Sequence, residues 1–358
     1  MDKVKYLALE NGKVFKGRSF GFDGEAVGET VFSTGVTGYL EMLTDKCCYG
    51  QIVVQTFPQI GNYGIIPADF ESGRAYASGY IVNSQCQEPS NFRSVGAIDI
   101  FLREQKIPGI YGINTRALTK TIRDHGTLKG AIVDDPDKIS LLDIAIHEGP
   151  DPIKAVQSPE PGKFGKGDYH VVAVDYGMRN STCQELTKAG LSVSLLGGLS
   201  TSDEILAKKP DGVVLPDGPG DPENQPELIK TVKKLIESGV PIFGIGLGHQ
   251  LLALASGFKT YKLKFGHRGS NQPVKELATG AVHITRQNHG YCVERYSIDP
   301  SVARESFVNI NDGTCEGLEF IGKPIFSVQF SPEHRGGSNS PDWLFRRFIR
   351  IMKSEKKA

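Results

Sequence analysis

Four short stretches of this chain gather the residue types that acyl-transfer chemistry uses. In residues 241–255, PIFGIGLGHQLLALA, an apolar run passes through closely spaced glycines straight into a helical pattern. That is the layout of a nucleophile elbow. Glycines on either side of a central residue let the chain turn tightly and lift that side chain above a sheet edge, where helix N-terminal amides can hold an oxyanion. The central residue here is Gly246, so the mounting for a nucleophile is present without a nucleophile. The same spacing also suits a plain strand-to-helix junction. A second stretch, PDGPGDP at 216–222, closes a strand-like run; its amides can grip a carboxylate or carbonyl oxygen, or it can be a simple turn. A third, RQNHGY at 286–291, follows the strand-like AVHIT and offers polar groups either to a ligand or to loop carbonyls. The fourth, FSVQFSPEH at 326–334, is a strand exit carrying a hydroxyl (Ser331), a carboxylate (Glu333) and an imidazole (His334).

The elements that would carry these stretches read as two textures. The first opens with YLAL, Asn11-Gly12 and KVF, the signal for a hairpin. β-rich runs follow at 29–33, 51–56 and 79–83, and helical patterns come late, at 97–105 and at 115–124 behind Asn114 as N-cap. This half reads as an α+β domain, residues 1–150. Residues 151–168, within EGPDPIKAVQSPEPGKFGKGD, are loaded with Pro, Gly and Lys without apolar periodicity and read as a linker. From 169 to 358 short apolar runs alternate with helical patterns: HVVAVDYG, 180–189, LSVSLL, 203–209, GVVLPDG, and a helix through Leu228, Ile229, Val232, Leu235 and Ile236. That alternation predicts βαβ units on a mainly parallel sheet, with VPIFGI as a strand buried on both faces.

Composition narrows the function classes. At 358 residues the chain exceeds what one core usually organises. Forty-one basic residues balance forty-one acidic ones, which leaves no footprint for nucleic acid or an anionic membrane and favours a small neutral or zwitterionic ligand. Six cysteines without a C-x-x-C pair disfavour zinc and a disulfide scaffold. The opening residues lack signal- or transit-peptide character, so a cytoplasmic address is expected.

Taken together, in this order, the four stretches resemble the class I glutamine amidotransferase domain. The likeness extends to FSTGVTGYLEMLTD, QIVVQTFPQIGNYG, INTRALTKTIR, KLKFGHRGSNQPV and QNHGY, which resemble the small, glutamine-hydrolysing subunit of carbamoyl phosphate synthetase over essentially the whole chain. That resemblance implies an α/β protein with an N-terminal α+β domain and an amidotransferase-like domain. It also implies a heterodimer with a large subunit that carries ATP and magnesium, L-glutamine as ligand, and a product bound for arginine or pyrimidine synthesis. No cofactor or metal is expected on this chain.

The resemblance places a Cys-His-Glu triad at Gly246, Ser331 and Glu333, of which only Glu333 retains the family residue. Glutamine contacts map to Cys47 (a serine in the family), Gly218, Gly220, Leu247, Gln250, Asn288, Gly290 and Tyr291, and Asp217 stands where the family usually has asparagine. With nucleophile and base both replaced, glutamine hydrolysis is expected to be weak or absent, since losing either member costs roughly 10⁴- to 10⁶-fold. His334, Cys47 or Cys48 could supply displaced groups; the rival readings are an active amidotransferase of that kind and a non-catalytic glutamine-binding or scaffold protein.

Overall fold

The computed structural model describes residues 3–158, 162–333 and 343–357. The chain divides into two compact units, one of Met1–Pro152 with Lys264–Gly269, the other of Ile153–Leu263 with Ser270–Ala358.

The first unit holds β1 (Val4–Leu9), β2 (Val14–Gly21), β3 (Ala26–Ser33), α1 (Tyr39–Leu43), β4 (Gln51–Gln55), β5 (Gln59–Ile60), β6 (Gly79–Ile81) and β7 (Ser84–Gln85). It continues with α2 (Ile98–Glu104), β8 (Pro108–Tyr111), α3 (Thr115–His125), β9 (Leu128–Val133) and α4 (Leu141–Ile146). The expected hairpin joins β1 to β2, and Gly12 takes the left-handed conformation its turn needs, at φ 82°. Asn114 caps α3, its Oδ1 accepting from the Ala117 amide at 3.0 Å. Seven strands close into a barrel in the order β1-β2-β8-β6-β4-β3-β9, with β9 returning to pair with β1. Period-two alternation along β4 sends Ile52 and Val54 into one core and Val53 into another. The short α1 has no counterpart in the sequence reading. It begins at Gly38 with no side-chain cap, and five residues are too few for a helical period to register.

The second unit follows α5 (Pro152–Val156) with β10 (Gly162–Phe164), β11 (Tyr169–Asp175), α6 (Asn180–Lys188), β12 (Leu191–Gly197), α7 (Ser202–Leu206) and β13 (Gly212–Leu215). Next come α8 (Pro226–Ser238), β14 (Ile242–Ile245), α9 (Leu247–Ala255), β15 (Thr260–Glu276) and β16 (Val282–Val293). β17 (Ala303–Asn309), β18 (Cys315–Phe320), β19 (Ile325–Val328) and α10 (Trp343–Glu355) complete it. The sheet runs β10-β12-β11-β13-β14-β19-β18-β17-β15-β16, and its centre, from β12 to β19, is parallel. Alternate residues serve opposite faces. Val213, Leu215 and Ile242 pack with α8 and α9 residues such as Leu235 and Leu252, whereas Val214, Phe243 and Ile245 pack with Leu186 of α6 and Phe348 of α10.

One expectation needs correction here. The 151–168 stretch is more than a linker: Ile153 and Val156 of α5 are fully buried, and β10 pairs antiparallel with β12. Two apolar residues three apart in a five-residue helix are too few to register as periodicity among so many Pro and Gly. RQNHGY lies within strand β16, in line with the strand-like residues before it. Among the described residues, no helix is long and apolar enough to cross a membrane.

Helix α9 lies almost directly on the strands beneath it. A Cβ added at Gly248 would sit 2.0 Å from the carbonyl oxygen of Leu215, and one at Gly244 would sit 2.5 Å from Leu252 Cδ1. Gly248 is therefore demanded by backbone packing, whether or not a ligand binds, and Gly244 by the close approach of α9. Gly248→Ala is expected to lower the unfolding free energy in urea titrations by about 3 kcal/mol, as overpacking against rigid backbone does. The control Gly73→Ala, where a Cβ meets nothing within 4 Å, should stay within about 0.5 kcal/mol of the unaltered protein.

Candidate functional site

The site lies at the carboxyl edge of the parallel strands, where open α/β sheets bind their ligands. β11 ends at Asp175, which accepts from the Met178 amide at 2.9 Å and from the Ser158 amide at 2.8 Å, fixing the turn that delivers Arg179 to the start of α6. β13 leads into Asp217 and Gly218, β14 into Gly246, and β19 into Ser331 and Glu333. Gly246 is the N-cap of α9 at φ 53°, ψ −109°, the strained turn of an elbow.

A continuous polar chain spans these four strand ends. The Arg179 guanidinium donates from Nη1 to Ser331 Oγ at 2.8 Å and from Nη2 to Asp217 Oδ2 at 2.7 Å. Asp217 Oδ1 in turn accepts from the Gly218 amide at 2.9 Å and from the Leu247 amide, the first of α9, at 3.1 Å. Two backbone N–H groups converging on one oxygen form an oxyanion cradle, helped by the positive end of the α9 dipole. Here a carboxylate of the protein itself lies in it. Arg179, Asp217 and Ser331 are all buried. The charge of each partner is thereby compensated inside the protein, as buried charges must be.

The sequence-derived positions distribute as follows. Gly246, Gly218, Leu247 and Ser331 come together around the Arg179–Asp217 pair. Glu333 accepts a short hydrogen bond from Thr182 Oγ1. Gly218 is held by close packing, since a Cβ there would stand 2.6 Å from the Tyr176 carbonyl oxygen, and Gly220 is an exposed turn residue at φ 97°. Gln250 donates from Nε2 to the Tyr291 carbonyl at 2.8 Å and to Gln329 Oε1 at 2.9 Å, tying α9 to β16. On that strand Asn288 is buried, while Gly290 and Tyr291 are half-buried. His289 spans its neighbours along the strand, reaching the Tyr291 carbonyl through Nδ1 at 2.8 Å and Gln287 Oε1 through Nε2 at 2.9 Å. Cys47 belongs to the first unit, buried in the turn 46–48 with its amide donating to Asp45 Oδ1; Cys48 beside it is also buried. His334 lies outside the described residues.

Arg179 escaped the sequence reading. The signal that could have found it was Asp217 itself, because a carboxylate in place of a neutral side chain at a buried strand end requires a cation nearby.

His249, next to Gln250 in α9, faces the interior. It is fully buried, its Nδ1 lies 2.8 Å from Ser327 Oγ, and burial pushes its imidazole down to about 3. The folded protein thus holds this ring neutral over a range in which the unfolded chain, near its ordinary 6.5, takes up a proton. Its contribution to stability is complete above that value and falls as pH drops from there toward 3, by at most about 1.4 kcal/mol per pH unit. In urea unfolding across this window, His249→Gln is expected to lose that share of the acid sensitivity.

The ion pair makes its own prediction. Arg179→Met and Asp217→Asn should each destabilise the protein by about 3 kcal/mol, because each removes one partner from a buried pair. The double variant should recover part of this, with a coupling energy of about 1–3 kcal/mol in a double-mutant cycle read by chemical denaturation.

Two family models match the chain. Residues 7–132 match the family model described as carbamoyl-phosphate synthase small chain, CPSase domain, and residues 172–351 match glutamine amidotransferase class-I. A carbamoyl phosphate synthase small chain of Syntrophotalea carbinolica is 45% identical, the alignment covering 98% of each chain. One of Bacillus cereus is 46% identical over 99% of this chain and 97% of its own. A carbamoyl phosphate synthase pyrimidine-specific small chain of Halalkalibacterium halodurans is 46% identical over 98% of each.

Proposed function

The chain belongs to the carbamoyl-phosphate synthase small-chain family, and from that premise we propose that it serves as the partner subunit of an ammonia-using large subunit, its own glutaminase step being lost. Hydrolysis of a carboxamide in such a site needs a thiolate to attack the carbonyl, an imidazole to keep it deprotonated and to protonate the leaving ammonia, and a carboxylate to orient the imidazole. At the first position there is no side chain, and at the second a hydroxyl that accepts a hydrogen bond from Arg179. A serine hydroxyl is neither a base nor an acid near neutral pH. The third, Glu333, is engaged by Thr182.

The observation that carries this reading is the chain Ser331–Arg179–Asp217–Leu247, which runs from the altered position 331 to the amide next to the altered position 246 through charges of the protein's own. ATP and magnesium belong, in this reading, to the large subunit, which would draw ammonia from solution. The six free cysteines suit a reducing compartment, in keeping with the cytoplasm.

The test is carbamoyl phosphate formation by this chain purified together with its cognate large subunit, supplied with glutamine in one reaction and ammonium in another. Product from ammonium, with the glutamine rate lower by about 10⁴-fold or more, is the expected result. Comparable rates would overturn the reading and turn attention to Cys47, Cys48 and His334.

A further inference from the structure

We propose that the Arg179–Asp217 pair is a built-in occupant of the vacated site, so that restoring a thiol at position 246 and an imidazole at 331 leaves it shut. The inference rests on the assignment of Gly246 and Ser331 as nucleophile and base positions.

The steric argument is direct. A Cβ placed on Gly246 would lie 2.1 Å from Asp217 Oδ1 and 2.2 Å from its Cγ, distances no pair of non-bonded atoms tolerates. A carboxylate at the end of a free side chain would simply swing away. This one is anchored by the Gly218 and Leu247 amides on one oxygen and by Arg179 on the other, and it is buried. Moving it breaks those contacts and leaves a buried charge to be rehoused.

The electrostatic argument points the same way. The oxygen of a tetrahedral intermediate must take the two amides that Asp217 Oδ1 already holds, and while that carboxylate remains the developing negative charge meets a like charge. On the other side, Arg179 reaches from position 217 to position 331, through the space a nucleophile and its base would share. Inactivity is therefore written at four positions, two by removal and two by occupation.

The test uses the full-length protein as Gly246→Cys/Ser331→His and as the same pair with Arg179→Met/Asp217→Asn added, each checked for folding by thermal unfolding. Iodoacetamide modification of the thiol at position 246 is followed by peptide mass spectrometry, natively and in urea, and glutamate release from glutamine is measured alongside. In the twofold variant the thiol should react about a hundredfold more slowly natively than in urea, as a group exposed only by transient opening does, with no glutamate released. In the fourfold variant most of that protection should vanish. A twofold variant whose native thiol reacts as fast as the unfolded one overturns the proposal, and so does equal protection in both folded variants. Should the fourfold variant not fold, the native-to-urea ratio of the twofold variant decides alone. Glutamine-driven product from the unaltered chain with its large subunit would instead sink the proposed function, while the alkylation ratio would still decide whether position 246 is covered.

Discussion

Helix α9 lies close on the strands beneath it because glycine stands on both sides of the contact, Gly244 in β14 and Gly248 in the helix itself. Gly244 and Gly248 let the helix settle onto β13 and β14 at backbone distance, and Gly246 absorbs the sharp change of direction between strand and helix. That approach fixes the Leu247 amide against the loop after β13, so its N–H and that of Gly218 meet on one oxygen. The cradle is thus a product of packing.

A buried ion pair is an unusual thing to find in such a place. Its Coulombic attraction is set against the loss of hydration of both groups, and pairs of this kind often contribute little net stability compared with apolar replacements. What Arg179 and Asp217 supply is compensation: the α9 N-terminus and two converging amides form a positive pocket, and Asp217 neutralises it while Arg179 neutralises Asp217.

Much of this was legible from residue order alone. Asn11-Gly12, the cap at Asn114, the apolar runs that became the parallel sheet and the elbow through Gly246 all rest on local rules, and each appears in the structure near the expected residues. The features that were not legible are non-local or too short. Barrel closure pairs β1 with β9, strands more than a hundred residues apart, and nothing within either strand announces the other. Arg179 and Asp217 come from different βα junctions, so their pairing follows from the sheet order and not from spacing. The α5–β10 region hid behind Pro and Gly because its burial depends on Ile153 meeting a core that the rest of the unit builds.

The closed ladder of the first unit has a bearing on how that unit can be recognised. An open sheet offers a row of unpaired N–H and C=O groups on which another chain can build a further strand. In this barrel β1 is paired on both sides, by β2 and by β9, and the circuit continues without a terminal strand. Any protein that docks on the barrel wall must read side chains and connecting loops. The specificity of such an interface would then reside in residues that can vary freely without disturbing the hydrogen-bonded ring beneath them.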